Sequence, residues 1–310
     1  MSGFAYFKGH IVPSEQATIS VKNHALNYGT AVFGGIRAYW SAEDEQLNIF
    51  RPLDHFTRLI QSASLLRMKV HQTPEDLTNI LIELLRLEGY RENVYARPLV
   101  YKDMEGIGVR LHDVPDALTM WTTPMGRYIE KEEGAHVHFS AWRRVDDNAI
   151  PARGKVSGSY ANSALIKSDA VLSGYDEALV LNQDGHVSEA SAANIFIVRG
   201  GVAITPPVNA NVLEGITRRT LITLLRDEMG VEVQERDIDR TEVYLADEVF
   251  LCGTGVQIAA VTRIEHRQIG TGKMGEITHT VRDLQQDVFM GRAEKYRGWL
   301  TPVYTTEAVL

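Results

Sequence analysis

Two short segments of this 310-residue chain have the local physics of an anion site. Leu213-Glu214-Gly215-Ile216-Thr217 runs into a helical pattern. A helix N-terminus offers unpaired amide donors and the positive end of the helix dipole, and the Thr217 hydroxyl adds a further donor. Gly253-Thr254-Gly255 follows directly on the strand-like run EVFLC. Glycines there let successive amides converge into a nest. Taken singly, each segment also fits an ordinary cap or turn. Lys155 stands in ARGKVSGSY, between a proline-marked turn and a helix. A lysine among small residues is normally a solvated loop residue. The chemical reading needs an amine that forms a Schiff base, activated by desolvation or by a nearby cation. The one cysteine, Cys252, lies in apolar EVFLCG and reads as a small buried hydrophobe; alone it permits no intrachain disulfide.

The elements around these residues follow from periodicity. AYFKGHIVP, the run from Ala31 to Tyr39, and QLNIF carry aromatic and β-branched residues punctuated by glycine, as strands and turns do. Pro52 opens a helix whose apolar positions Phe56, Leu59, Ile60, Ala63 and Leu66 recur at helical spacing. Thr73-Pro74-Glu75-Asp76 resembles a capping box, and Gly89 closes the helix it starts. VYARPLVY is a strand, and TPMGRYIEKEEG loses the apolar pattern. The expected organisation is therefore α+β in two domains: a small one over 1–122, a linker over 123–134, and a larger one over 135–310. The larger holds a helix from about Ser159 to Ser173, hairpins turning at Asp184-Gly185 and at Gly200-Gly201, and a helix from Ile216 to Met229. No internal repeat is present.

Bulk properties exclude several classes. A formal net charge of -8 and the absence of a Lys/Arg block argue against nucleic acid and anionic membrane surfaces. The N-terminus lacks a signal-peptide pattern, and no window approaches eighteen apolar residues. A cytoplasmic protein is expected, binding any anionic substrate through a few placed arginines.

Seven segments taken in order have a joint meaning that none has alone: HALNYGTAVFGGIRAY, RLIQSASLLR, VYARPLVY, IPARGKVSGSYANS, VSEASAANIF, VLEGITRR and YLADEVFLCGTGVQI. Together they resemble the branched-chain aminotransferase family, of the fold-type-IV pyridoxal-phosphate enzymes, from about residue 5 to 290. The resemblance implies that Lys155 is catalytic and holds the cofactor, that Glu189 pairs with the pyridine nitrogen, and that Tyr160 bonds the phenolic oxygen. It implies a phosphate cradle of Arg58, Gly215, Ile216, Thr217 and Thr254, with Leu213 against the ring. This cradle coincides with the two anion segments above. Tyr28, Phe33, Gly35, Arg37, Tyr95, Arg97 and Tyr128 would line the substrate pocket, with Thr254, Gly255 and Val256 at its carboxylate end. No metal is implied. The family builds each site at a dimer interface, so Tyr28 would come from a neighbouring subunit. A homodimer is the minimal unit implied, with a hexamer as the larger alternative.

The implied reaction is ping-pong transfer of nitrogen from L-leucine, L-isoleucine or L-valine to 2-oxoglutarate. Three departures bear on substrate range: Gly34 replaces a glutamate in VFGGIR, Gly255, Val256 and Gln257 alter the GTGVQ turn, and Met125 stands where tryptophan is frequent. Gly34 is expected either to loosen the pocket strand and free Arg37 or Arg97, or to point away from the pocket by strand alternation. In the first case weak activity on (R)-amines follows. Other readings are a D-amino-acid or (R)-amine transaminase, an aminodeoxychorismate lyase on the same fold, and a non-catalytic binder of phosphate ligands. The set Lys155, Tyr160 and Glu189 argues against the last.

Overall fold

In the computed structural model, which describes residues 3–126, 131 and 134–304, the chain forms two compact units. The first comprises Met1–Gly126, Gly154–Gly158 and Asp287–Leu310, and the second Arg127–Arg153 and Ser159–Gln286.

The first unit begins with β1 (Phe4–Phe7) and β2 (His10–Pro13). Lys8 and Gly9 both have positive φ, 49° and 102°, which suits a two-residue hairpin turn. Then come α1 (His24–Tyr28), β3 (Ala31–Phe33), β4 (Ile36–Ser41), β5 (Gln46–Phe50), α2 (Pro52–Leu65), α3 (Pro74–Glu88), β6 (Val94–Lys102) and β7 (Asp116–Pro124). The expected strand over Ala31–Tyr39 is two strands, because Gly34-Gly35 interrupts it; both pair with β6. Pro52 sits in the first turn of α2, and the Thr73–Asp76 capping box forms at α3 in both directions. Leu77, Leu81, Leu84 and Leu85 of α3 are fully buried. Burial of a leucine side chain contributes about 1.5–3 kcal/mol, far more than the helical propensity of any one residue.

The second unit has β8 (Ala135–Arg143), α4 (Tyr160–Leu172), β9 (Glu177–Leu181), β10 (Val187–Ala190), β11 (Asn194–Arg199), β12 (Val202–Thr205), α5 (Ile216–Asp227), β13 (Val233–Glu235), α6 (Arg240–Tyr244), β14 (Glu248–Gly253), β15 (Gln257–Ile264), β16 (Arg267–Gln268) and α7 (Glu276–Phe289), whose last turn falls to the first unit. Its nine-stranded sheet runs β10-β9-β8-β15-β14-β11-β12-β13, with β16 on β15. One face buries a cluster that includes Leu179, Ile195, Ile197, Leu251 and Val261.

The boundaries differ from those read in the sequence. Thr123 and Pro124 lie in β7, not in a linker, and residues 127–130, 132 and 133 of the expected linker lie outside the described residues. The C-terminal stretch groups with the first unit, because β17 (Leu300–Pro302) pairs with β5 and Phe289 stacks on Tyr39 with centroids 3.9 Å apart. The first sheet is thus eight-stranded, β17-β5-β4-β6-β7-β1-β2, with β3 on β6.

Candidate active site

In the first unit, the Lys155 segment is pinned to β3 and to α2. Phe33 N–H donates to Lys155 O at 3.0 Å, and Val32 and Val156 form an antiparallel bridge. Gly158 N–H reaches Gly29 O at 3.1 Å. Gly29 has φ 67°, and a Cβ there would come 2.8 Å from Gly158 Cα, so the close approach requires a glycine. Lys155 N–H also donates to Ser62 Oγ at 3.2 Å, and Ser62 donates to Arg58 O at 2.8 Å. Arg58 and Ser62 are one helical turn apart on α2, so this helix ties the Arg58 backbone to the Lys155 segment. Ser62 is buried and was not singled out from the sequence; its four-residue spacing from Arg58 was the available signal.

The Lys155 amine lies 4.9 Å from the centroid of the Phe33 ring, and the Arg97 guanidinium lies 4.4 Å from that same ring. The Tyr95 hydroxyl accepts from Arg97 Nε and Nη2 at 3.0 and 2.8 Å. Arg37 on β4 is in register opposite Tyr95 on β6, so both side chains leave the same face of the sheet. A Cβ at Gly35 would overlap the Tyr95 hydroxyl, so a glycine leaves room for it. Lys155, Phe33, Gly35, Arg37, Tyr95 and Arg97 are therefore brought together. Arg37 is 1% exposed and donates from Nη1 to Gly126 O at 3.0 Å; among the described residues nothing bonds its Nε. A buried guanidinium without a carboxylate is costly unless an anion completes it.

The Gly34 departure resolves differently from its neighbour. A Cβ at Gly34 would meet Pro98 Cγ at 2.7 Å, and Gly34 N–H bonds Pro98 O at 2.8 Å. The missing glutamate side chain would start against the Pro98 ring, on the side away from Tyr95. Arg37 keeps its bond to Gly126 O and Arg97 its bonds to the Tyr95 hydroxyl, so both are held in place, while no described residue reaches Arg37 Nε. Tyr28 closes α1, with its ring edge-on to His24 and its hydroxyl accepting from Gly108 N–H at 3.1 Å. Tyr128 lies outside the described residues.

In the second unit, Glu189 on β10 is gripped at both oxygens. Arg144 Nη2 meets Oε1 at 2.7 Å, with the two side chains 11% and 5% exposed. Asn194 Nδ2 donates to Oε2 at 2.9 Å, and Leu213 N–H reaches it at 3.3 Å. Arg144 is held in turn by Nε to Asn211 O at 3.1 Å. Neither Arg144 nor Asn194 was singled out from the sequence, although Asn194 lies within the ASAANIF run. Asn194 Nδ2 also bonds Leu213 O at 3.0 Å, and its Oδ1 fills the space where a Cβ at Gly215 would go. The carboxylate and the Leu213–Thr217 segment thus share one side chain. Gly215 is the N-cap of α5 and offers no capping side chain, while Ile216 and Thr217 are buried in its first turn.

Tyr160 opens α4 just after a short 3-10 turn. Thr254, Gly255 and Val256 form the hairpin loop between β14 and β15, with the Val256 side chain in the hydrophobic cluster. Cys252 is fully buried, and burial pushes its thiol up to about 12, which removes it as a nucleophile.

These features fit pyridoxal phosphate. In the second unit, a helix of 12 residues presents an N-terminus without a side-chain cap, and a buried carboxylate is bonded to the asparagine that also reaches Leu213 O; in the first unit, an amine lies against an aromatic ring. The sequence matches the amino-transferase class IV family over residues 31–264. It is 47% identical over 302 residues, 97% of each chain, to a probable branched-chain-amino-acid aminotransferase of Aquifex aeolicus. The fold is similar to the branched-chain aminotransferase of Thermoproteus uzoniensis, solved with norvaline, at TM-score 0.94 and 38% identity, covering 98% of this chain and 100% of that one. It is similar also to the holo, PLP-form enzyme of Thermobaculum terrenum, at TM-score 0.93 and 38% identity, covering 98% and 99%. The chain belongs to the class IV aminotransferases. Its cofactor is pyridoxal phosphate.

Proposed function

We propose that this protein transfers the amino group of L-leucine, L-isoleucine and L-valine to 2-oxoglutarate. The observation that carries this reading is the cluster on one sheet face: the Lys155 amine and Arg97 share the Phe33 ring, beside Tyr95 and buried Arg37. Phe33 and Tyr95 supply apolar wall for a branched side chain. Arg37 and Arg97 supply cations for the second carboxylate of 2-oxoglutarate or glutamate. One site must accept both, because the two half-reactions alternate.

When bound, pyridoxal phosphate acidifies the substrate's α-proton by accepting the electron pair left behind. Lys155 Nζ takes that proton as a base and gives it back as an acid. Glu189, fixed by Arg144 and Asn194, offers a carboxylate to the ring nitrogen. Tyr160 would bond the phenolic oxygen. Arg58, Thr254 and the first turn of α5 would hold the phosphate, and Leu213 would pack on the ring. The Thr254–Val256 loop takes the substrate's α-carboxylate on backbone amides.

We further infer a homodimer as the working unit. Ile19 and Val21 on one loop, Leu26 on α1, and Ile107 and Val109 on a second loop are exposed, and these segments are tied by the Asn23–Glu105 bridge and by Gly108 N–H to Tyr28 Oη. A second copy covering them would bring Tyr28 to its neighbour's pocket. No described helix is long and apolar enough to cross a membrane, and we place the enzyme in the cytoplasm.

Initial rates with L-leucine, L-isoleucine, L-valine, D-leucine and an (R)-arylamine, each against 2-oxoglutarate, test the reading. Branched L-donors should lead. A D-donor outrunning L-leucine overturns the pocket assignment. Lys155→Ala should keep the fold and lose turnover, together with the yellow colour that borohydride bleaches in the wild type.

A further inference from the structure

The loop assigned to the substrate carboxylate has an unusual closing residue. Gly253 and Gln257 are the last pair of the β14–β15 ladder, and Gln257 has φ 58°. Short hairpin loops need a left-handed residue near this point, and glycine or asparagine normally supplies it. A glutamine there is strained by its Cβ, so something must hold it. The Gln257 side chain accepts from Gln286 Nε2 at 2.9 Å. Gln286 lies near the end of α7, inside the second unit.

The start of α7 is fixed to the same hairpin. Glu248, the first residue of β14, accepts from Ile277 N–H at 3.0 Å, Thr278 N–H at 2.8 Å and the Thr278 hydroxyl at 2.6 Å. From Thr278 to Gln286 a helix rises about 12 Å, and from Glu248 to Gly253 a strand extends about 17 Å. Helix and strand therefore run alongside each other, joined where β14 begins and where its loop ends.

We propose that Gln286 is a positioning residue for the Thr254–Val256 loop, and that its bond to Gln257 sets the affinity for the substrate carboxylate. This rests on the reading of that loop as the carboxylate site. In Gln286→Leu, Gln257 keeps its strain and loses its anchor, so the loop amides no longer converge on one point. The KM values for L-leucine and for 2-oxoglutarate should both rise about fivefold, the worth of one neutral hydrogen bond. Because the loop holds a part of the substrate that does not react, kcat should stay within about twofold. Cofactor retention should fall less than KM rises, because Thr254 is only one of the proposed phosphate contacts. The dissociation constant of a short aliphatic carboxylate, measured by calorimetry, should rise by the same factor as KM.

Gln286→Glu restores the link, since the Gln257 amide can rotate and donate, and should return KM close to wild type. If Gln286→Leu fails to fold, Gln257→Asn serves instead. Asparagine accepts the left-handed backbone but is too short to reach Gln286, so it should raise KM without lowering the melting temperature. Gly255→Pro removes the amide itself. If Gly255→Pro raises KM while Gln286→Leu and Gln257→Asn leave it unchanged, the positioning role is overturned and the carboxylate loop stands. If Gly255→Pro binds carboxylate as well as wild type, the loop reading falls and this proposal with it. A lower melting temperature in Gln286→Leu with unchanged KM marks the bond as merely structural and also overturns the proposal.

Discussion

Replacing Gly215 by alanine adds one carbon and should weaken two functions together. The new Cβ would overlap Asn194 Oδ1 and come within 3.3 Å of Arg218 Cβ. Arg218 cannot yield, because it is 5% exposed and its Nη2 bonds Pro206 O at 2.9 Å and Glu235 at 2.7 Å. Asn194 must turn instead, and its Nδ2 then leaves Glu189 Oε2 and Leu213 O. A bond to a charged group contributes about 1.5–3 kcal/mol and a neutral one about 0.5–1.5 kcal/mol. Partial relaxation leaves an expected loss of about 2–3 kcal/mol, readable as a shift in the urea midpoint. Dialysis should strip the cofactor faster, and single-turnover reaction with L-leucine should slow, because Glu189 loses one of its fixed partners. The decisive measurement is the double variant. In an Asn194→Ala background the added methyl meets no amide, so its cost should fall to about 1 kcal/mol, what alanine costs at an N-cap. Strict additivity of the two single changes would refute the steric route through Asn194.

The other cofactor contacts lead to separable outcomes. Glu189→Gln should retain cofactor yet slow proton abstraction about a hundredfold, by analogy with electrostatic contributions of roughly 3–4 kcal/mol; wild-type single-turnover rates would remove Glu189 from this role. Arg144→Met leaves Glu189 buried without its cation and should cost about 3–5 kcal/mol in stability, whereas a paired Arg144→Met/Glu189→Leu change should cost less. A single variant as stable as wild type in urea contradicts that. Arg58→Ala and Thr217→Ala should each shorten cofactor retention on dialysis more than they slow chemistry, with Arg58→Ala the worse of the two because arginine bonds phosphate with charge and two donors. Equal retention by both variants and wild type would refute their assignment to the phosphate.

What could be read in the sequence was local. Pro52, the Thr73–Asp76 box, Gly89 and the hairpin turns at Asp184-Gly185 and Gly200-Gly201 fix their backbone through their own side chains or lack of them, and each stands where expected. The pairing of β17 with β5 was not legible, because it joins residues about 250 positions apart through backbone bonds that carry no side-chain signature. The site divides in the same way. Lys155 and Glu189 lie in motifs, whereas Ser62, Arg144 and Asn194 act through contacts formed only on folding. Asn194 stands five residues after Glu189, but that spacing has meaning only once the turn between β10 and β11, closed by Ala190 N–H to Ala193 O, brings the amide back to the carboxylate.

The departure at Gly34 is decided by a similar tertiary contact. Read as a string, VFGGIR loses a carboxylate next to the pocket residues Gly35 and Arg37. In the fold, positions 34 and 35 lie between β3 and β4, and a Cβ at each would meet a different neighbour, Pro98 at 34 and the Tyr95 hydroxyl at 35. Reinstating glutamate at 34 should therefore not restore any pocket contact. Its Cβ would press on Pro98 Cγ, and the Gly34 N–H to Pro98 O bond leaves little room for backbone escape. Overpacking of this kind costs about 1–3 kcal/mol, so Gly34→Glu should melt lower than wild type. The ratio of rates for L-leucine and an (R)-arylamine should stay as it was. A tenfold change in that ratio, with stability intact, would show that position 34 reaches the substrate and would refute its placement against Pro98.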